Sequence, residues 1–330
     1  MLAAPENNPA GSLRYESARG EMSETEFSKA RADLASGLTL WPLWVQLGWN
    51  GILQRYRRSF LRIGTRPEVT KMKKHVVVAL VATKGVEDFL ENSLKGLVRV
   101  GIDPRIIHVA RPLNAAETID PIILKAGAVA HSFSEFCRPS IIATPEHYAN
   151  YGTEPFVAVV WEKIRYVRWL LDRYSHVVYA DLDVGWLADP LWYLAAVGEI
   201  YPLAFQTEAQ RRFPPILCTG FLSAKSTATT LGLFDRMLAA CDSSSPGTSS
   251  TDDQQALNAI IAQEPALLNH IHLLSEGLFV NGLGYRHFLD SSSGVTMQGK
   301  LEPIVFHANW TVGLADKKQL MANAGTWLLD

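Results

Sequence analysis

The chain has 330 residues, of which 48% are hydrophobic and 19% charged, and its net charge at pH 7 is −2. This composition suits one large or two small globular domains with a substantial core. The near-neutral charge gives no indication of a nucleic-acid partner. The cysteines, Cys137, Cys218 and Cys241, are few and widely spaced, which argues against a disulfide scaffold or a zinc–cysteine site and favours a reducing compartment.

Residues 1–70 differ from the rest of the chain, and we predict a polar, partly helical extension in front of a main domain at 71–330. No apolar core follows Met1, so the sequence predicts no signal peptide. Residues 38–58 combine tryptophans with a basic run but fall short of the ~20 apolar residues needed to span a bilayer. This segment is compatible with a helix on a membrane surface and equally with one packed on the main domain. The location stays open between the cytoplasm, a membrane surface and the Golgi lumen.

From Lys71 onward, apolar runs alternate with stretches of helical spacing, a pattern typical of α/β domains. The predicted strands are His75–Ala82, Ile106–Val109, Val177–Val184, Leu203–Phe205, Leu217–Leu222 and Ile304–His307. The predicted helices are Val86–Val100, Phe156–Tyr174 and one that begins at Asp253, where Thr251 and Gln254 fit a capping box.

The run Val177–Val184 is the most informative feature, because it has the composition of a buried strand and carries Asp181 and Asp183. Side chains alternate faces along a strand, so two aspartates separated by one residue would point the same way. Open α/β folds bind ligands at the carboxyl edge of the sheet. Two hard oxygen ligands at that edge suit Mg²⁺ or Mn²⁺, and a divalent cation in turn suits a phosphate-bearing substrate.

The Asp-x-Asp pair has two other interpretations. It is short, and a polar turn after a core strand produces the same pattern. The pair also occurs in HAD-like phosphohydrolases, where the first aspartate, here Asp181, is a nucleophile. In that class the motif usually lies on the first strand of the core, whereas here it lies well inside the α/β region.

Five segments of the chain, in order, resemble the nucleotide-diphospho-sugar transferases of glycosyltransferase family 77. They are Trp161–Lys163, Tyr179–Pro190, Cys218–Leu222, Asp253–Asn258 and His307–Gly313. The resemblance implies a GT-A fold, which is a Rossmann-like, mostly parallel central sheet flanked by helices. It also implies a nucleotide-sugar donor, a divalent metal and retention of the anomeric configuration. Cys218 departs from the family, which more often has asparagine at this position.

The chemistry of the reaction and the resemblance together suggest which residues bind the metal. Cleavage of a sugar–phosphate bond leaves charge on the diphosphate, so the site needs a cation and fixed donors aimed there. We expect Asp183 to be the first metal ligand and Asp181 to contact the metal, its water shell or the ribose. His307 resembles the third protein ligand, with a hydrogen-bonded core histidine as the alternative.

The resemblance also implies residues that bind the nucleotide. Gly313 and Lys317 resemble the glycine and lysine that meet the diphosphate, because glycine allows close backbone approach and lysine offers a mobile cation. A solvated helix face is the alternative for Lys317 and for its neighbour Lys318. Thr83, just after the first strand, is a candidate for contact with the base.

The remaining candidates concern the sugar and the acceptor. Lys163 resembles a lysine that faces the donor, with a plain surface lysine as the alternative. We expect Asp253 and Gln254 to lie against the donor sugar or the acceptor, although helix capping alone would explain Gln254. Trp186 and Trp310 are candidates for stacking on sugar rings, and core packing is the alternative for both.

We therefore expect a metal-dependent glycosyltransferase that moves a hexose or pentose from a nucleotide-diphosphate donor to a glycan or other hydroxyl acceptor. The expected nucleotide is UDP and the expected cofactor is Mn²⁺ or Mg²⁺. An inverting enzyme would need a general base, for which Glu208 and Asp253 are candidates. The non-enzyme alternative is a nucleotide-sugar or glycan-binding protein. No nucleic-acid partner is expected, and peripheral membrane contact through residues 38–58 stays open.

Overall fold

The computed structural model describes residues 76–137, 148–149, 151–208, 213–242, 251–285 and 303–330. The predicted extension at 1–70, including the segment 38–58, lies outside these residues. Within the described part of the chain, no helix combines the length and the apolar character needed to cross a membrane.

The described strands and helices alternate along most of the chain. The strands are β1 (Val76–Val81), β2 (Ile107–Arg111), β3 (Val129–Ser132), β4 (His176–Ala180), β5 (Val184–Trp186), β6 (Leu203–Thr207), β7 (Leu217–Lys225), β8 (Ile271–Leu273), β9 (Phe279–Asn281) and β10 (Val305–His307). The helices are α1 (Glu87–Arg99), α2 (Ala116–Ala126), α3 (Glu154–Leu171), α4 (Leu191–Gly198), α5 (Ala228–Asp242), α6 (Asp253–Gln263) and α7 (Leu314–Asn323).

Two sheets organise the domain. The larger has seven strands in the order β3-β2-β1-β4-β7-β6-β8, and every strand in it except β7 runs in the same direction. The smaller has the order β5-β10-β9, with β10 antiparallel to β5 and parallel to β9. The prediction of an α/β fold with a mostly parallel central sheet flanked by helices is confirmed.

The unbroken apolar run of β1 reflects burial of the central sheet on both faces. Val78 and Leu80 belong to a core cluster that includes residues of α1, α2 and α4. The alternate residues Val77 and Ala79 belong to a second cluster, with residues of α3, α5 and α6. Complete burial of a valine or leucine side chain contributes roughly 1.5–3 kcal/mol, so the two helical layers hold the sheet in place.

The prediction of one strand over Val177–Val184 is wrong. β4 ends at Ala180 and β5 begins at Val184, and the two strands belong to different sheets. Asp181 and Asp183 lie in the turn between them, which is closed by a hydrogen bond from the Val184 N–H to the Asp181 carbonyl (3.2 Å). Their proximity therefore comes from a turn at the sheet edge and not from strand alternation.

The small sheet brings the end of the chain to this turn. In the antiparallel pair β5–β10, His307 lies opposite Val184. One residue further on, the Ala308 N–H donates to the carbonyl of Asp183 (2.9 Å). Main-chain pairing thus fixes His307 beside the Asp-x-Asp turn, although the two segments are far apart in sequence.

A β-bulge in β7 completes the same region. On β6, Phe205 pairs with Leu222 and the next residue, Gln206, pairs with Cys218, so residues 219–221 lie outside that ladder. On the other side of β7, the Asp181 N–H donates to the carbonyl of Gly220 (2.8 Å). Bulges redirect side chains and often lie beside active sites, and this one turns Thr219 and Gly220 toward the Asp-x-Asp turn.

Two buried histidines of the sheet make the fold sensitive to mild acid. Burial lowers the pKa of His108 and of His176 to about 4, against about 6.5 in an unfolded chain. Between these two pKa values the unfolded state binds more protons than the folded state. The contribution of the two neutral histidines to the free energy of unfolding is therefore fully present above pH 6.5 and is lost as the pH falls toward 4. We expect each histidine to reduce the free energy of unfolding by about 2 kcal/mol at pH 5 relative to pH 7.5.

Thermal or urea unfolding from pH 7.5 to pH 5 measures this loss. The variant His176→Gln keeps a polar partner for Ser223, which lies 2.6 Å from the histidine Nε2, but it does not titrate. It should show a smaller loss between the two pH values than the wild type. Equal pH dependence in both proteins would rule out the assignment of His176.

Candidate active site

The carboxyl edge of the central sheet gathers most of the candidate residues. β1, β4 and β6 end at this edge, and the antiparallel strand β7 begins there. Thr83 follows β1, the Asp-x-Asp turn follows β4, and Glu208 follows β6. The arrangement is the one in which open α/β sheets bind ligands.

Asp181, Asp183 and His307 lie close enough together to share one cation. One potential ligand atom from each residue lies within 4.8 Å of the others. Asp183 and His307 are buried, with 7% and 2% of their surfaces exposed, whereas Asp181 is partly exposed. Two carboxylates and an imidazole are a donor set that suits Mn²⁺ or Mg²⁺.

Gly220 leaves room for this cluster. A Cβ atom at that position would lie 2.5 Å from Cε1 of His307 and 2.6 Å from Oδ2 of Asp181. Any other residue would therefore push the ligands apart or fill the space between them. Because Gly220 has no side chain, a small space remains beside His307 and Asp181. We call this space the cation cradle, because its size suits a small ion.

The orientation of His307 is set by Gln206. The His307 Nδ1 lies 2.8 Å from the Gln206 Oε1, and the Gln206 Nε2 donates to the carbonyl of Phe279 (3.0 Å). Because an amide oxygen can only accept, this pairing places the ring proton on Nδ1. Nε2, which lies 3.4 Å from the Asp183 Oδ1, is then left as the nitrogen available to a metal.

Lys317 lies at the same cluster. Its Nζ donates to the Asp183 Oδ2 at 2.6 Å. Burial would raise the pKa of Asp183, but the charge of Lys317 holds that pKa well below its ordinary value. The interpretation of Lys317 as part of a solvated helix face is therefore wrong.

Lys163 is buried, not exposed, so its interpretation as a plain surface lysine is also wrong. Only 3% of its surface is accessible, and its Nζ lies 2.8 Å from the Asp253 Oδ2 and 3.8 Å from the Asp181 Oδ1. It also donates to the Thr219 hydroxyl (3.3 Å). Burial alone would lower the pKa of Lys163, but the two carboxylates overcome this effect and raise it, so the lysine remains charged.

The capping interpretation of Gln254 is wrong as well. The N-cap of α6 is Asp252, whose side chain accepts a hydrogen bond from the Gln255 N–H (2.7 Å). The side chain of Gln254 instead accepts from the Thr219 N–H (3.3 Å). The start of α6 is fixed further by Trp161, whose indole donates to the carbonyl of Thr251 (3.2 Å).

The segment after His307 forms the opposite wall of the site. Asn309 accepts from the Gly282 N–H (2.8 Å) and donates to the carboxylate of Glu208 (3.3 Å). The thiol of Cys218 lies 3.9 Å from the same Asn309 amide. Trp310 follows with a backbone φ of 59°, a conformation that is strained for a bulky residue, by about 1–3 kcal/mol.

Two adjoining cavities meet at the cluster. The first, of about 150 Å³, is lined by Thr83 and by apolar residues such as Phe89 and Leu182. The second, of about 430 Å³, is lined by Glu208, Asp253, Gln254, His307, Asn309 and Trp310 among others. Asp181, Asp183, Lys163 and Lys317 line both. Together these cavities have the size and the mixed lining of a site for a small organic ligand.

The other three candidates, Gly313, Trp186 and Trp310, differ in their position relative to the cavities. Gly313, with a φ of 94°, is the residue from which α7 starts. Its neighbours Val312 and Leu314 line the second and first cavities respectively. Trp186 is fully buried and its indole donates to the Ser93 hydroxyl, so its interpretation as a sugar-stacking residue is wrong. Trp310, by contrast, is 44% exposed.

Sequence reasoning missed Gln206 and Thr219. Gln206 lies at the end of a predicted strand, in the same kind of position that identified Asp181, and this signal could have found it. Thr219 lies in the β7 bulge, and no local sequence pattern predicts this bulge. The partner of its N–H, Gln254, was found only through the family resemblance.

A family model described as nucleotide-diphospho-sugar transferase matches residues 130–321, more than half of the chain. The chain therefore belongs to the nucleotide-diphospho-sugar transferase family. It is therefore a glycosyltransferase, and the HAD-like interpretation of Asp181 is wrong.

Two solved structures of low sequence identity match most of the chain. Mouse xyloside xylosyltransferase 1 in its apo form is 10% identical, with a TM-score of 0.49 over 71% of this chain and 98% of that chain. The galactosyltransferase LgtC in complex with donor and acceptor sugar analogs is 11% identical, with a TM-score of 0.48 over 77% of this chain and 96% of that chain. No curated protein matches the sequence.

The variant Gly220→Ala tests whether the cradle binds a cation. Its methyl group would collide with His307 and Asp181, so we expect Mn²⁺ affinity to fall by at least about 10-fold, as when ligand orientation is disturbed. Isothermal titration with Mn²⁺ in the presence of UDP measures this change.

The matched control is Gly232→Ala in α5, where a Cβ atom meets nothing within 4 Å. This variant should keep the Mn²⁺ affinity and gain up to about 1 kcal/mol of stability, because alanine favours a helix interior. Equal Mn²⁺ affinities in the two alanine variants would contradict the cation cradle.

Proposed function

We propose that this glycosyltransferase depends on a divalent cation, uses a UDP-linked sugar and transfers that sugar with retention to the hydroxyl of a carbohydrate acceptor. The single observation that carries the proposal is the convergence of Asp181, Asp183 and His307 around the space left by Gly220. Main-chain pairing brings His307 of β10 beside the two aspartates of the turn, and two carboxylates with an imidazole around so small a space form a donor set for a divalent cation. Binding of Mn²⁺ or Mg²⁺ explains the arrangement.

The proposed cation would assist departure of the diphosphate. When bound, it would neutralise charge that develops on the departing diphosphate. Asp181, Asp183 and His307 would hold it, and the hydrogen bond from His307 to Gln206 keeps the imidazole in the tautomer that a metal requires. Lys317 adds a second positive charge at the same place.

The two cavities suggest where each part of the donor would bind. Apolar walls around Thr83 in the smaller cavity suit a nucleobase and ribose. The diphosphate would then lie between the Asp-x-Asp turn and the start of α7, where backbone N–H groups beside Gly313 and the Lys317 ammonium favour negative charge. The donor sugar would enter the larger cavity, beside Lys163, Asp253 and Gln254.

Retention fits the environment of Asp253. Burial raises the pKa of Asp253, but its carboxylate is ion-paired at 2.8 Å with the buried ammonium of Lys163, so it is held by a cation and is not free to take a proton from an acceptor. In the proposed step the bond from the anomeric carbon to the phosphate oxygen breaks, and the acceptor oxygen bonds to that carbon from the same face. The acceptor proton passes to the departing phosphate oxygen, so no side chain needs to act as a dedicated base.

The variant Asp183→Asn tests the proposal directly. A panel of UDP-, GDP- and ADP-sugars is incubated with the wild type and Mn²⁺, and release of the nucleotide is measured. We expect hydrolysis of a UDP-sugar, its loss on chelation of the metal, and a fall of at least about 100-fold in Asp183→Asn. Asp235→Asn on α5, which removes a surface carboxylate paired with Arg168, is the matched control and should keep full activity.

Proton NMR of the transferred product reports the anomeric configuration. An inverted product would overturn the retaining step and would favour Glu208, a buried carboxylate of the larger cavity, as a base. Undiminished hydrolysis in Asp183→Asn, or activity that survives chelation, would overturn the metal-dependent proposal as a whole.

A further inference from the structure

A shallow groove of about 300 Å³ lies along α7 and shares part of its lining with the larger cavity. It is lined by Trp310–Val312 and by side chains of α7, including Asp316, Gln319 and Asn323. Trp310–Val312 line both the cavity and the groove. This surface, called the α7 groove below, is thus continuous with the site that holds the reacting groups.

Trp310 is placed where core packing does not explain it. Trp161 and Trp186 are almost completely buried, and their indoles donate to protein oxygens. Trp310 is 44% exposed, and it is the non-glycine residue with a positive φ in the described chain. A strained backbone that holds a large side chain at the surface points to a functional reason for its position.

The chemistry of the α7 groove suits a carbohydrate. Trp310 and Val312, the latter 65% exposed, give it an apolar floor of the kind that packs against the C–H face of a sugar ring. Asp316, Gln319 and Asn323 lie on one side of α7, three and four residues apart, and offer carboxylate and amide groups to hydroxyls. The Gln319 amide donates to the Asn323 side chain (2.8 Å), which fixes the orientation of both.

The position of the α7 groove identifies which substrate it would contact. Trp310 lines the larger cavity together with Glu208 and Gln254, and it does not line the smaller cavity assigned to the nucleoside. A molecule that extends from the sugar end of the site into the groove therefore belongs to the acceptor. Because the larger cavity would also hold the donor sugar, an acceptor that reaches the groove would extend beyond the sugar that reacts.

We infer that the α7 groove is an extended acceptor subsite for a carbohydrate chain, in which Trp310 stacks on the sugar next to the one that is glycosylated. The inference rests on the proposed function, because it assigns the acceptor end of the same site. It specifies an acceptor of at least two sugar units, which excludes a lone monosaccharide or a small aglycone as the preferred substrate.

A glycan array tests the inference without a donor or a cation. The whole 330-residue chain is applied to neutral glycans of one to four sugars, and the glycans that bind are titrated in solution. We expect binding to glycans of two or more sugars, at least about 10-fold tighter than to the corresponding monosaccharide. Trp310→Asn should abolish this gain, because asparagine adopts a positive φ readily but offers no ring. Trp310→Tyr should largely retain it.

Trp192→Asn is the matched control, since Trp192 is a comparably exposed tryptophan (49%) on α4 and lines neither cavity nor the groove. It should bind glycans as the wild type does. Absence of glycan binding by the wild type, affinity that does not rise with glycan length, or affinity insensitive to Trp310→Asn would each overturn the inference. The array needs no donor, so it is independent of the hydrolysis assay. If the protein binds glycans but does not hydrolyse any nucleotide sugar, only the proposed function would be overturned.

Discussion

The site depends on neutralising two carboxylates that the fold holds together at one edge of the central sheet. A buried charge without a partner costs several kcal/mol, whereas a paired one is tolerated. Asp183 has Lys317 at 2.6 Å, and Asp181 shares Lys163 with Asp253. The two lysines lie on α7 and α3, so the Asp-x-Asp turn forms ion pairs with two helices that are far apart in the sequence.

Main-chain pairing supplies the geometry that these charges require. The β5–β10 ladder sets His307 beside Asp183, and the bulge of β7 turns Gly220 toward both. Groups held in this way need no rearrangement when charge develops on a leaving group, which is the condition for electrostatic catalysis. The ion pairs are weak evidence for stability and are better understood as the means by which a reactive arrangement is kept in place.

The sequence predicted the elements whose signals are local. The apolar run of β1 and the helical spacing of α1 and α3 identified those elements to within a few residues. The sequence could not show that the run after His176 divides between two sheets, because two aspartates separated by one residue fit the alternation of a strand as well as they fit a turn. It also could not distinguish a buried Lys163 from an exposed one, since its burial depends on Asp181 and Asp253, which lie elsewhere in the chain. Gln206 acts through His307, and only the pairing of distant strands brings them together.

We propose that Asp181, Asp183 and His307 bind the divalent cation on which transfer depends. X-ray diffraction from crystals soaked with Mn²⁺ and UDP, collected near the manganese absorption edge, tests it most directly. We expect an anomalous peak about 2 Å from the Asp183 carboxylate and from the His307 Nε2, beside Gly220. Clear density for UDP with no manganese peak at these atoms, and with Lys317 still bonded to Asp183, would contradict it.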